Sequence, residues 1–175
     1  MVSILRHARR AVVLTLVLAA PALSQTVPVP PSYPVNLSGP RIGVTVLSNG
    51  VLDKLKKDEA IDIRPMITQF GWQFEKRFYG GNDGLSAITE VVVLAGGLEQ
   101  GVTLPSLNWL VGLRTQKGFE FGVGPNVTPV GTAMVYAAGA TIRSGALNFP
   151  VNVAVAPSKS GVRVSLLTGI TMRQR

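Results

Sequence analysis

Residues 70–78 read FGWQFEKRF. Phe70, Trp72, Phe74 and Phe78 fall on one parity, and Gly71, Gln73, Glu75 and Arg77 on the other. Successive side chains of a strand point to opposite faces. The stretch is therefore a strand with one large aromatic face and one small or charged face.

The same period of two runs outward from it. RIGVTVLS (41–48) is a first strand, and further strands are expected at 65–78, 85–96, 105–116, 119–127, 132–143, 147–156 and 161–173. YGGNDG, GLEQG, QKG, PNVTPVG, RSGA and PSKSG separate them, all with turn chemistry. SNGVLDKLKKDEA (48–60) breaks the alternation and reads as a short helix. Ser48 or Asn49 is its expected cap; Val51, Leu52 and Leu55 share a face, and Asp53 and Lys57 stand four apart. Eight long strands joined mostly by short turns predict an eight-stranded antiparallel up-and-down β-barrel, with that helix in the first inter-strand loop.

The two faces differ in kind. One carries Ile42, Val46, Leu107, Val111, Val153, Val164 and Leu166 beside the aromatics Phe70, Trp72, Phe74, Phe78, Trp109, Phe119, Phe121, Tyr136 and Phe149. The other carries Gln69, Gln73, Asn108, Asn126, Asn152 and many glycines beside Glu75, Arg77, Arg114, Glu120, Arg143, Arg163 and Arg173. ITEVVVLAGG alternates poorly and leaves the facing of the third strand open. A large apolar side chain left in water forgoes roughly 1.5–3 kcal/mol, so the apolar face meets lipid or a protein core. Alternation alone does not choose between a membrane barrel and a lipocalin-like soluble barrel, which is its reverse. The polar face is glycine-rich, while most lysines sit in loops or turns. That suits a narrow interior better than a solvated surface, with the glycines expected to make room for charged side chains. The aromatics then become lipid-facing or girdle residues.

On these features residues 41–175 resemble small bacterial outer-membrane barrels of the OmpA/OmpX type. The resemblance implies outer-membrane lipid and the barrel-assembly machinery as partners. It departs at the end, GITMRQR, where such barrels close on an aromatic residue. With both termini periplasmic, Glu75, Arg77, Arg114, Glu120, Arg143 and Arg173 fall near the periplasmic end and Arg163 near the opposite mouth, with Glu90 a further candidate. Desolvated charges need partners, so a Glu/Arg network that closes the lumen is expected. The competing expectation is a small anion-favouring passage, because arginines outnumber glutamates.

The start of the chain carries the matching address. Arg6, Arg9 and Arg10 precede an apolar run from Ala11 to about Leu23 and small residues at Ala20, Ala22 and Ser24, the layout of a cleavable export signal over 1–24. A proline-rich lead-in over 25–40 follows. Only 15% of residues are charged, against about 25% in an ordinary soluble domain, and the mean hydropathy is +0.33. Yet no segment beyond the signal has the length of a spanning helix. Three of the 17 Lys and Arg lie in the signal, leaving 14 against 9 acids with no clustered run, so nucleic acid is not expected as a partner.

Cysteine is absent, and the single histidine, His7, lies in the signal. Ser-His-Asp and Cys-His catalysis and the usual zinc ligand sets are thereby excluded after cleavage. No enzyme activity, cofactor or metal is expected. Asn36-Leu37-Ser38 and Asn126-Val127-Thr128 fit the glycosylation pattern and are read as coincidental in a bacterial chain. The alternative to the membrane barrel is a secreted soluble barrel holding an apolar ligand among Phe70, Trp72, Trp109 and Phe121. No ligand is identified by either reading.

Overall fold

The computed structural model of the chain describes residues 36–80 and 84–172. The expected signal and most of the proline-rich lead-in lie outside these residues. The strands are β1 (Gly39–Leu47), β2 (Met66–Gly80), β3 (Ser86–Gly96), β4 (Leu104–Arg114), β5 (Phe119–Thr128), β6 (Gly131–Ser144), β7 (Leu147–Ser158), β8 (Gly161–Gly169) and the two-residue β9 (Thr171–Met172). One helix, α1 (Asn49–Asp58), follows β1, and a short 3-10 turn at Leu98–Gln100 joins β3 to β4.

From β1 to β8 each strand pairs antiparallel with its neighbours in sequence, and β1 also pairs with β8, from Arg41↔Gly169 to Leu47↔Arg163. The sheet is thus a closed, eight-stranded, up-and-down barrel. β9 prolongs β8 along β7, pairing Leu147↔Met172, after an interruption at Ile170. That interruption falls where the pairing of β8 with β1 ends. The barrel begins at Gly39, two residues before the expected Arg41. The end of the lead-in belongs to it too: Leu37 is fully buried, and the Ser38 hydroxyl accepts from the Glu75 amide at 2.8 Å.

The apolar face points outward. Trp72, Trp109, Phe70 and Phe121 are all exposed, as are Phe74, Phe78, Phe119 and Tyr136, while Phe149 is half-buried on the same face. The interior holds the polar parity: Gln69, Gln73, Glu75, Arg114, Glu120, Asn126 and Arg163 are buried. In β3, left open by the sequence, Ile88, Glu90, Val92 and Leu94 face in. Its alternation fails because Val92 and Leu94 line the apolar part of the interior, so both faces of β3 are apolar there.

α1 closes one mouth. Val51 and Leu55, one helical turn apart, are buried against Leu47, Ile67 and Leu104, and the cluster reaches Val130 in the β5–β6 connection. Leu52 is only partly buried. Ser48 precedes the helix as its N-cap but caps no amide of α1 with its side chain. Its hydroxyl instead accepts from the Val162 amide at 2.9 Å and its own amide donates to Val162 O at 3.0 Å, which ties the helix start to β8. The helix region forms its ion pair between Lys56 and Asp62 at 2.8 Å, at the surface. The end bearing α1 is called the helix end below, and the end bearing the β2–β3, β4–β5 and β6–β7 connections the turn end.

The glycines act differently from the expectation. A Cβ on Gly71 would lie 1.9 Å from the Val93 carbonyl oxygen. The space is therefore taken by the backbone of the next strand, not by a charged side chain. At Gly169 both apply, since a Cβ there would lie 2.4 Å from Pro40 O and 2.5 Å from Arg41 Nη1.

Candidate functional site

Inside the barrel the charges sort into two groups. Near the turn end, Arg114 is buried with three carboxylates around it. Its Nη1 and Nη2 donate to Glu75 Oε1 and Oε2 at 2.6 and 2.5 Å. Nε and Nη2 donate to Glu120 Oε2 at 2.8 and 2.6 Å, and Glu90 Oε1 stands 3.5 Å from Nη2. The three glutamates come from β2, β3 and β5 and the arginine from β4, so the group bridges four consecutive strands. Charge-assisted, bidentate contacts of this kind are the strong ones.

The network extends through amides. Gln73 Nε2 donates to Glu90 Oε1 at 2.7 Å, and Gln73 Oε1 accepts from Arg41 Nε at 3.0 Å. Arg41 Nη2 donates to Leu37 O at 2.6 Å and Nη1 to Pro40 O at 3.1 Å, fixing the chain that enters β1. Asn152 Nδ2 donates to Glu120 Oε1. The result is a continuous polar layer across the turn end of the lumen.

Arg163 is separate. It projects from β8 between Leu47 of β1 and Ala156 of β7, toward the helix end. Its Nη1 donates to Thr128 Oγ1 at 2.6 Å and its Nη2 to Asn126 Oδ1 at 2.7 Å. Asn126 donates in turn to Asn108 and Ser106. Being buried and bonded in this way, Asn126 does not offer its amide as a glycosylation acceptor.

Between α1 and the polar layer lies a cavity of about 100 Å³, lined by Val51 and Leu55 on the helix side and by Gln73, Glu90, Arg41 and Arg163 among its polar walls. Leu110, Ala133, Val135, Ala137 and Ala156 form a second buried apolar cluster on the wall. The interior is thus a chamber with an apolar cap at one end and a salt cluster at the other.

Of the residues singled out by sequence, Glu75, Arg114 and Glu120 meet in the cluster, and Arg163 is interior but apart from it. Arg77 and Arg143 are exposed. β1 pairs with β2 only as far as Gln73, and β5 pairs with β6 only as far as Ala140, so both arginines sit on hairpins that overhang the neighbouring strand. Arg77 Nη1 donates to Ser86 Oγ at 3.4 Å, and Arg143 Nη2 donates to Gln116 O at 3.2 Å. Arg173 lies outside the described residues. Arg41, absent from the expected set, shares parity with Gly43 and Thr45, and that parity was the signal for it. Among the described residues the buried ionic groups are three arginines (Arg41, Arg114, Arg163) and three glutamates (Glu75, Glu90, Glu120). The excess of arginines behind an anion-favouring passage therefore does not exist in the described interior.

Compared with known proteins, the chain matches no family model, no curated protein and no solved structure.

Proposed function

We propose that the protein is a small outer-membrane β-barrel of a bacterial envelope. In this reading it is non-enzymatic and non-conducting, and serves as a structural or surface-interaction component. The observation that carries the reading is the inverted surface: Trp109 is 58% exposed and Phe119 60%, while Arg114 is 5% and Glu75 8% exposed. A soluble carrier would present the reverse, and the four aromatics that would hold its ligand all lie outside.

Three features support the bilayer. The eight wall strands run from 9 to 15 residues, and a tilted membrane strand needs about 9–11. Two outward polar side chains are satisfied within the protein, as hydrocarbon demands: Trp109 Nε1 donates to Thr89 Oγ1 at 3.0 Å, and Thr168 Oγ1 donates to Pro150 O at 3.1 Å. The turn end carries exposed Phe78, Tyr79 and Phe119 beside exposed Lys76, Arg77, Lys117 and Arg143. Aromatic rings and cations together suit the headgroup level of a membrane.

Closure of the lumen follows from the Arg114 cluster at one end and α1 at the other. Membrane fractionation of cells expressing the full chain, with gels run boiled and unboiled, tests the assignment. A detergent-extracted band whose mobility shifts on boiling is expected. A water-soluble monomer in the periplasm or medium contradicts it.

A further inference from the structure

Among the described residues, Arg163 is a buried guanidinium with no carboxylate in ion-pair range, and its Nε has no hydrogen-bond partner. Arg41 also lacks a direct carboxylate, but all three of its nitrogens are bonded and Gln73 links it to Glu90. Arg163 meets only the neutral oxygens of Thr128 and Asn126. A buried charge without a counter-ion is strongly unfavourable, and so is a buried donor left unmade. The compensating anion has space beside it, because Arg163 lines the interior cavity. Asn152 Oδ1, a second buried polar atom without a partner, belongs to another residue of the same lining.

The rest of the wall selects the anion. Val51, Leu55, Leu110 and Val135 present aliphatic surface to the space. A hydrated inorganic ion gains nothing from such walls, whereas a carbon chain does. The volume, about 100 Å³, is below that of an apolar cavity of about 150 Å³ that accepts benzene. That limits the occupant to a few carbons.

We propose that the lumen is a binding chamber for a short aliphatic monocarboxylate, its carboxylate on Arg163 and its chain against the aliphatic wall. Entry is at the helix end, opposite the salt cluster. The salt cluster makes the chamber a dead end, so the protein holds its ligand rather than passing it through. The inference rests on the interior alone and stands whether the outer face meets lipid or not.

The test uses the folded full-length protein in micelles, or in plain buffer should it prove water-soluble. The probe is propionate observed by saturation-transfer NMR, against 1-propanol and inorganic phosphate, with protein-free samples as blanks. Saturable binding of the carboxylate is expected, with neither comparator competing for it. Arg163→Met, which keeps the aliphatic stem, should weaken binding at least about tenfold through loss of a charge-assisted contact. Absence of saturable binding overturns the proposal and leaves water in the cavity. So does equal binding of the alcohol or of phosphate, or binding unchanged in Arg163→Met. If that variant does not fold, the comparison of carboxylate with alcohol on the unaltered protein decides alone.

Discussion

Arg114 and Glu75, 39 residues apart in the chain, meet fork to fork inside the barrel with both nitrogen–oxygen distances at or below 2.6 Å. The pair joins β4 to β2 across β3. Strand pairing alone would not couple these two strands, so the contact locks three strands of wall at the turn end.

Removing the arginine leaves Glu75, Glu90 and Glu120 facing one another without it. Arg114→Met should cost about 3–5 kcal/mol, the usual loss when one partner of a buried pair is deleted. Urea titration of the refolded barrel, followed by tryptophan fluorescence, measures it. In a double-mutant cycle with Glu75→Gln the two losses should fall short of additivity by more than about 1 kcal/mol. Additive losses would mean that the pair is not coupled.

Leu166 sits midway along β8, half-exposed on the outer face, opposite Val44 of β1 and Val153 of β7. If that face is in hydrocarbon, Leu166→Arg destabilises the barrel by about 2–4 kcal/mol, as at the midplane of other membrane barrels. On a water-facing surface the same change falls within about 0.5 kcal/mol. Unfolding in lipid vesicles separates the two outcomes.

Two closures in series predict electrical silence. The unaltered protein in planar bilayers should show no stable conductance steps. Leu55→Asp, which puts a charge where Leu55 packs on Leu47 and Leu104, should free α1 and raise protease sensitivity between residues 59 and 65, yet stay silent behind the Arg114 cluster. Regular steps from either protein would contradict the closed lumen.

Glu99, on the 3-10 turn at the helix end, accepts from the Thr68 hydroxyl at 2.5 Å and from its amide at 2.9 Å. These bonds favour the ionised carboxylate and hold its pKa at about 2, below the ordinary 4.5. Its folded value is the lower one, so the stabilisation is complete above pH 4.5 and is lost as pH falls toward 2. NMR titration of the Thr68 amide should show a midpoint near 2. Thr68→Val should move the Glu99 midpoint upward, and an unmoved midpoint would refute the assignment.

The strands were legible because their period is two and their turns are marked by glycine. FGWQFEKRF assigned the faces of β2 correctly as far as Glu75, since its aromatic parity is unmixed as far as Phe74 and then meets Lys76. β3 was not legible: a strand whose inner face meets the apolar cap carries valine and leucine on both sides, so alternation vanishes where the lumen changes character. The cluster was legible as a set of residue types but not in membership. Arg77 and Glu75 share a parity, and only the strand stagger, which no single segment encodes, puts one over the edge of β1 and the other inside. The chamber beside Arg163 depends on α1 folding over the mouth, a tertiary placement that the helix pattern alone does not fix.

The seam where β1 meets β8 has a mechanical consequence. It spans seven residue pairs, from Arg41↔Gly169 to Leu47↔Arg163, and once it is made the wall becomes a hoop. An open sheet can fray strand by strand from a free side. Here that route starts only after the whole seam parts together, and Arg41 and Ser48 pin its two ends through Leu37 and Val162. Rupture is therefore a single concerted event, and the folded chain should persist far longer than the modest strength of any one of its hydrogen bonds suggests.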